Sequence, residues 1–405
     1  MSKTKSRDIF DKMVIMFFVL QPFIDAITCI EIKSNISFLS VSSIVRGIFF
    51  VIVITYLIRE KINLKCTMSF IIYFLLSILY NKLLTDNRLS VEIANIFQIF
   101  YLPFLIMFFN NYSNKYVNDK FILKLYFIYL NLIIIPYLLG IGYSVSEFYE
   151  EKIGYLGLFY GGNEISAILI GLLPTSINAL IKNKNKIINI VFIVELLACT
   201  ILVGTKTLML GVIIVILYFS IKYLKNNFNS FSKLKKRLTI IAPVIFFIVF
   251  IVVLPYTPMY KNIVTAAKFF NVDFSNLFSM YGLNKIVFSG RLGFLSKVNN
   301  IFINSGILTL FLGLGKTIFS VTKLIEIDMF DIFYTIGIVG FSIWFIYMLI
   351  SIRKVKLTGV YKLTFILLVM ISLIAGHVLI STNVSIYLAL MVILNKNEKE
   401  EVSDE

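Results

Sequence analysis

Apolar stretches close to 20 residues long recur along almost the whole of this 405-residue chain. At 1.5 Å per residue that is the length of α-helix needed to cross the hydrocarbon core of a bilayer. Within a bilayer every backbone N–H and C=O has to be satisfied by the protein itself, so only helices and closed barrels can span it. Barrel strands would alternate apolar and polar residues; these runs are continuous and read as helices. The composition agrees: 59% of the residues are hydrophobic and 15% charged, whereas a soluble chain carries about a quarter charged residues. A soluble multidomain enzyme is therefore excluded.

The N-terminal stretch, Met1 to Lys12, is polar and basic. The first apolar run, near 13–30, is interrupted by Gln21, Pro22 and Asp25 and lacks a small-residue cleavage site, so it reads as an uncleaved span. Further spans are expected near 38–58, 67–85, 91–110, 121–142, 161–181, 187–204, 207–224, 238–255, 331–350, 360–380 and 383–394. The predicted fold class is an all-α polytopic membrane protein of about 12 transmembrane helices. It forms a single transmembrane domain over residues 1–395, with a large extracytoplasmic loop near 256–330 inserted between spans nine and ten. Residues 396–405, mostly acidic, are expected to be a disordered cytoplasmic tail. The spacing of Arg291, Phe294, Leu295 and Val298 predicts a helix inside the loop, with Ser289 as its cap. Short amphipathic helices lying on the membrane surface and covering a cavity are expected there.

The formal charge of +16 would suggest nucleic acid in a soluble protein. In a membrane protein Lys and Arg are retained on the cytoplasmic side. With both termini cytoplasmic, 25 of the 38 Lys and Arg fall inside and 12 outside, with Arg46 within a span. Seven of the outside charges sit in the one long loop, and long loops have little influence on topology. Runs such as Lys182, Lys184, Lys186 and Lys233, Lys235, Lys236, Arg237 are then a cytoplasmic fringe, and no nucleic-acid partner is expected. One histidine, His377, excludes zinc sites built on several histidines, and three cysteines cannot make a disulfide framework. No cofactor and no metal site are expected.

Ionisable groups at membrane depth are costly and mark function. Arg46 lies about 12 Å below the outer end of its span at 1.5 Å per residue. It suits either an ion pair with Asp25 or Glu195 or the binding of an anion such as phosphate, whose oxygens match the guanidinium fork. Asn163 and Glu164 open the sixth span, where a carboxylate also favours the helix dipole. Gly204-Thr205-Lys206 is a tight turn with a lysine on the outer side, and it lacks the spacing of a phosphate-binding P-loop. The long loop adds Ser289-Gly290-Arg291, Gly313-Leu314-Gly315-Lys316, Glu326-Ile327-Asp328 and Asp331. Glu326 and Asp328 can share a cation if that segment is extended, or simply solvate a helix start. Arg291 and Lys316 suit interfacial anchors as well as anion ligands. His377, followed by Ser381, Thr382 and Asn383, suits a proton acceptor or a structural hydrogen-bonding residue. All these groups fall on the outer half of the expected topology, whereas a transporter places polar groups near the midplane, open to both sides.

In layout and in these short motifs the chain resembles the O-antigen ligase/polymerase family, the Wzy-type polysaccharide polymerases and their WaaL-type ligase relatives. The match is closest at Ser289-Gly290-Arg291, Phe311-Leu312-Gly313-Leu314-Gly315, Glu326-Ile327-Asp328 and Asp331, with Gly162-Asn163-Glu164, Gly204-Thr205-Lys206 and Ala375-Gly376-His377 as further positions. The ligase branch carries a loop histidine; the long loop here has none, which weakens the ligase reading or shifts that role to His377. The resemblance implies a glycosyltransferase of the bacterial plasma membrane that polymerises or ligates undecaprenyl-diphosphate-linked oligosaccharide into a cell-surface polysaccharide, such as capsule or exopolysaccharide, at the outer face. It implies Arg291, Glu326 and His377 as catalytic residues, with Arg46, Lys206, Asp328, Asp331, Glu164 and Asn163 binding substrate. A flippase and a chain-length regulator are the implied partners. The alternative is a flippase or exporter of lipid-linked oligosaccharides.

Overall fold

In the computed structural model, residues 3–34, 40–85, 87–144, 153–227, 241, 252–270, 272, 279–286, 288–320 and 324–404 are described. Eight long helices come first: α1 (Lys3–Lys33), α2 (Val41–Arg59), α3 (Leu64–Leu84), α4 (Leu89–Asn111), α5 (Asp119–Leu138), α6 (Gly162–Lys182), α7 (Lys186–Val203) and α8 (Lys206–Asn227). Four short helices follow: α9 (Pro258–Phe269), α10 (Met280–Ile286), α11 (Arg291–Asn304) and α12 (Ile307–Leu312). The chain closes with α13 (Asp328–Val355), α14 (Gly359–Ile374) and α15 (Thr382–Asp404). An isolated bridge joins Tyr143 and Gly157.

Nine of the described helices, α1–α8 and α13, are long and apolar enough to cross a membrane. The sequence predicts about twelve. Most of the expected ninth span, 238–255, lies outside the described residues. The eleventh is the shorter helix α14, and the twelfth is the first half of α15. That helix runs on to Asp404, through residues that composition alone assigned to a disordered tail. Lys and Glu are good helix formers, so a helix already anchored in the bundle can continue through them.

Depth in the bundle follows from packing. Of the apolar windows of α4 and α6, 72% and 78% is buried, against 28% for α7 and for α8. Helix α15 packs on both α4 and α6, and its residues Ile386 to Leu394 are at most 4% exposed. These three helices form the centre, and α7 and α8 are the least buried of the nine by the same measure. Around α4, Phe50 of α2 and Phe70 of α3 meet Phe104 edge-on at centroid distances of 5.5 and 5.0 Å, the geometry that ring quadrupoles favour.

One helix is broken inside the protein. Gly337 of α13 has φ 66° and ψ −176°, which interrupts the ladder and frees carbonyls that hydrocarbon could not satisfy. The segment after α12 supplies the donors: Leu314 N–H to Tyr334 O (2.8 Å) and Gly315 N–H to Thr335 O (3.1 Å). The Tyr73 hydroxyl donates to Ile336 O at 2.9 Å. A Cβ on Gly337 would come within 2.5 Å of Gly313 N. The break therefore docks residues 313–315 deep against α13, and with them Lys316. Helix α11 forms where its spacing predicts it. Its N-cap falls on Gly290, not on Ser289, and no side chain caps it; Ser289 is itself in the left-handed region (φ 51°).

Candidate functional site

A polar cavity of about 300 Å³ opens at one end of the bundle, lined by residues of α1, α2, α4, α6 and α13, the segment ending in Lys316 and the turn between α14 and α15. Arg46, Lys316 and His377 bring basic groups to its wall, and Glu164 and Asp331 bring carboxyl groups. Ser42, Asn95, Gln98, Ser381, Thr382 and Asn383 supply neutral polar ones. A groove of about 760 Å³ lies at the opposite end, where Lys120, Lys124 and Lys182 border a largely aliphatic wall.

Arg46, 4% exposed, is held by four partners from three helices. Its guanidinium donates to Asp25 Oδ1, Ser42 Oγ and Asn383 Oδ1, and to Gln21 Oε1 at 3.0 Å. Of the two carboxylates that the sequence offered it, Arg46 pairs with Asp25; Glu195 instead accepts from Asn131 at 3.4 Å. The Tyr129 hydroxyl reaches the second oxygen of Asp25 at 3.3 Å and lies 2.7 Å from that of Tyr387. Asn383 also donates to Glu164 Oε2 at 3.2 Å, which joins the start of α6 to the start of α15.

Lys316 enters the cavity from the docked segment. Both oxygens of Glu92 accept from this segment: Lys316 N–H at 2.7 Å, and Thr317 N–H and hydroxyl at 2.8 and 2.6 Å. The ammonium donates to Gln98 Oε1 at 2.9 Å. Burial lowers the pKa of this lysine below its usual 10.5, and the nearby carboxylates of Glu92, Glu164 and Asp331 oppose that shift.

The turn carrying His377 is built by a carboxylate. Asp328 is fully buried and accepts the N–H groups of His377 (2.7 Å), Val378 (2.8 Å) and Leu379 (2.7 Å). Glu326 and His377 both have φ 61°, a conformation that costs a non-glycine residue about 1–3 kcal/mol. Gly376 packs so closely that a Cβ there would lie 2.6 Å from Glu326 O. Behind this turn, Arg291 donates from Nε (3.2 Å) and Nη2 (2.7 Å) to Glu326 Oε2, and from Nη1 to Ile374 O at 2.6 Å. Asn163 donates to Ala375 O at 3.2 Å, and Lys206 is close enough to Arg291 for the two cations to repel.

The expected residues thus separate into two groups. Arg46, Glu164, Asp331 and His377 line the cavity. Arg291, Glu326, Asp328 and Asn163 form the scaffold of the 374–379 turn, with Lys206 beside Arg291. Both oxygens of Asp328 are taken by backbone N–H groups, so Glu326 and Asp328 do not face one another as a cation pair. Sequence reasoning missed Gln21, Glu92, Asn95 and Gln98. Their only signal is a polar side chain within an apolar span.

Four residues of the cavity lining each carry a buried side-chain atom without a hydrogen bond: Thr28 Oγ1, Asn95 Nδ2, Asp331 Oδ2 and Ser381 Oγ. Asp331 is 2% exposed, and its other oxygen accepts Ile325 N–H at 3.0 Å.

Together these features define a multi-pass helical membrane protein with a charged, hydroxyl-lined cavity at one end of its bundle. The chain belongs to the O-antigen ligase like membrane protein family, whose model matches residues 7–277 and 280–396. Nothing matches among curated proteins or among solved structures. The family gives no support to the flippase alternative.

Proposed function

We propose that the protein is a membrane glycosyltransferase that polymerises or ligates undecaprenyl-diphosphate-linked oligosaccharide into a cell-surface polysaccharide, at the outer face of the bacterial plasma membrane. The observation that carries this reading is the cavity, where Arg46, Lys316 and His377 converge on a space lined with hydroxyl and amide groups. A lipid-linked sugar presents a diphosphate and hydroxyls side by side. As the bond from the anomeric carbon to the diphosphate breaks, negative charge grows on the phosphate oxygens. Cations fixed in advance stabilise that state more than the ground state.

In this reading Arg46 and Lys316 hold the diphosphate. Arg291 and Glu326 act through the turn they brace, Asp328 fixes the His377 backbone, and Asn163 and Lys206 support the same turn. Lys182, Lys184 and Lys186 at the opposite end of the bundle favour a cytoplasmic position for that end, together with both termini, and an outward-facing cavity. Flippase and length-control partners would deliver the substrate and set the product length. The test is direct: purified protein in lipid nanodiscs, given lipid-diphosphate oligosaccharide, forms a ladder of longer glycans. A protein that moves this lipid across vesicle membranes without extending the glycan would refute the reading.

A further inference from the structure

We propose that Asp331 is the general base of the transfer, accepting the proton of the attacking acceptor hydroxyl on Oδ2, and that Thr28, Asn95 and Ser381 orient the acceptor sugar. The inference rests on the glycosyltransferase reading above. A buried polar group without a partner costs about 1–3 kcal/mol, so such groups are scattered in most folds and are not expected to collect. Here four of the ten such atoms among the described residues belong to residues lining one cavity. Two hydroxyls, one amide donor and one carboxylate oxygen that can only accept form the complement of a ring carrying several hydroxyls. The volume, about 300 Å³, is at the low end for ligand pockets and fits the reacting end of a glycan rather than its length.

Asp331 is set apart from the other described carboxylates by a buried oxygen that accepts no hydrogen bond. Glu164 accepts from Asn383, Glu326 holds Arg291, Asp328 accepts three N–H groups and Glu92 fixes the Lys316 segment. The Ile325 N–H orients the Asp331 carboxyl through Oδ1 and leaves Oδ2 as the buried carboxylate oxygen without a donor. The charged groups around it are Lys316 from the docked segment, Arg46 from α2, Glu164 from α6, His377 from the turn after α14, and Glu326 and Asp328 from its own stretch of chain. The cations that would hold the leaving diphosphate therefore share a cavity with the proton acceptor.

The step balances. The acceptor oxygen forms a bond to the donor's anomeric carbon, and the bond from that carbon to the phosphate oxygen breaks. The electron pair leaves on the lipid diphosphate, and the hydroxyl proton passes to Asp331 Oδ2.

The test compares wild-type protein with Asp331→Asn in nanodiscs, using lipid-diphosphate trisaccharide. Asparagine is isosteric and keeps the acceptor for Ile325 N–H. The expected result is an unchanged melting profile, retained binding, and transfer at least about 100-fold slower. The acid limb of kcat/KM, where the rate falls as the base is protonated, should vanish from the residual activity. Where D331N fails to fold, Asp331→Ser serves: restoration of transfer by added formate supports the base, and no restoration overturns it. A D331N rate within tenfold of wild type with the acid limb intact overturns the base alone. A wild type that transfers no sugar overturns the base and the proposed function together.

Discussion

Replacing Arg46 by methionine perturbs the most connected charge in the protein. The substitution keeps an unbranched chain of similar reach and removes the partner of Asp25, whose side chain is 6% exposed. Asp25 then retains the Tyr129 hydroxyl at 3.3 Å, while Gln21 Oε1 and Asn383 Oδ1 each lose a donor. Breaking a buried ion pair from one side costs about 3–5 kcal/mol, because the remaining charge stays buried without compensation. Removing both charges avoids that penalty. Arg46→Met combined with Asp25→Asn should therefore be much closer to wild type than R46M alone. Denaturant or thermal unfolding of the detergent-solubilised protein gives the four corners of this cycle. The expected coupling is several kcal/mol, well beyond the ~0.5 kcal/mol within which independent sites add. Glycan extension should be lost in R46M and in the double variant, because one of the two cations that hold the diphosphate is absent from both. Additive single losses would refute the buried pair, and an active double variant would refute the role of Arg46 in holding diphosphate.

Three further perturbations reach the remaining parts of the site. Gly337→Ala forces a methyl group to within 2.5 Å of Gly313 N at a backbone with φ +66°; it should cost about 1–3 kcal/mol or more and lower stability and transfer together, read by melting and by glycan ladders. Arg291→Lys keeps the charge but cannot make the three N–H contacts to Glu326 and Ile374 O; losing one charged hydrogen bond costs about 1.5–3 kcal/mol, and transfer should fall at least tenfold in protein that still folds. Lys316 has a pKa held below 10.5 by burial. The fold disfavours its charged form, so the burden on stability is greatest below the lowered pKa and disappears as pH rises towards 10.5. Activity has the opposite dependence: kcat/KM should fall as pH rises through a value under 10.5, and Lys316→Arg should move that alkaline limb upward. An unmoved limb would separate Lys316 from diphosphate binding.

The membrane made the fold legible. Because hydrocarbon satisfies no backbone group, each crossing has to appear in the sequence as a predominantly apolar run of helical length. The runs at 13–30 and 91–110 fall within α1 and α4, and that at 161–181 matches α6 to within one residue at each end. The same cost made Asp25, Arg46, Glu164 and Asp331 conspicuous as charges within or at the ends of spans. Exposed loops carry no such constraint. Arg291 and Glu326 could be singled out there by motif, but not recognised as braces of the 374–379 turn. Which residues contact across the bundle has no one-dimensional signature: Arg46 and Asn383 are 337 positions apart.

The sequence alone determined that this chain is a bundle of membrane helices and singled out a sparse set of arginines and carboxylates within and between them. It determined this through hydropathy and charge, which each segment carries locally. Tertiary structure decided which of those groups share a cavity. Gly337 breaks α13, the freed carbonyls draw in Leu314 and Gly315, and Lys316 is thereby brought beside Gln98, on a wall it shares with Asp331. Three backbone N–H groups converge on Asp328 and set the turn that presents His377. These placements depend on satisfying buried polar groups across distant segments, and that requirement exists only once the helices have packed.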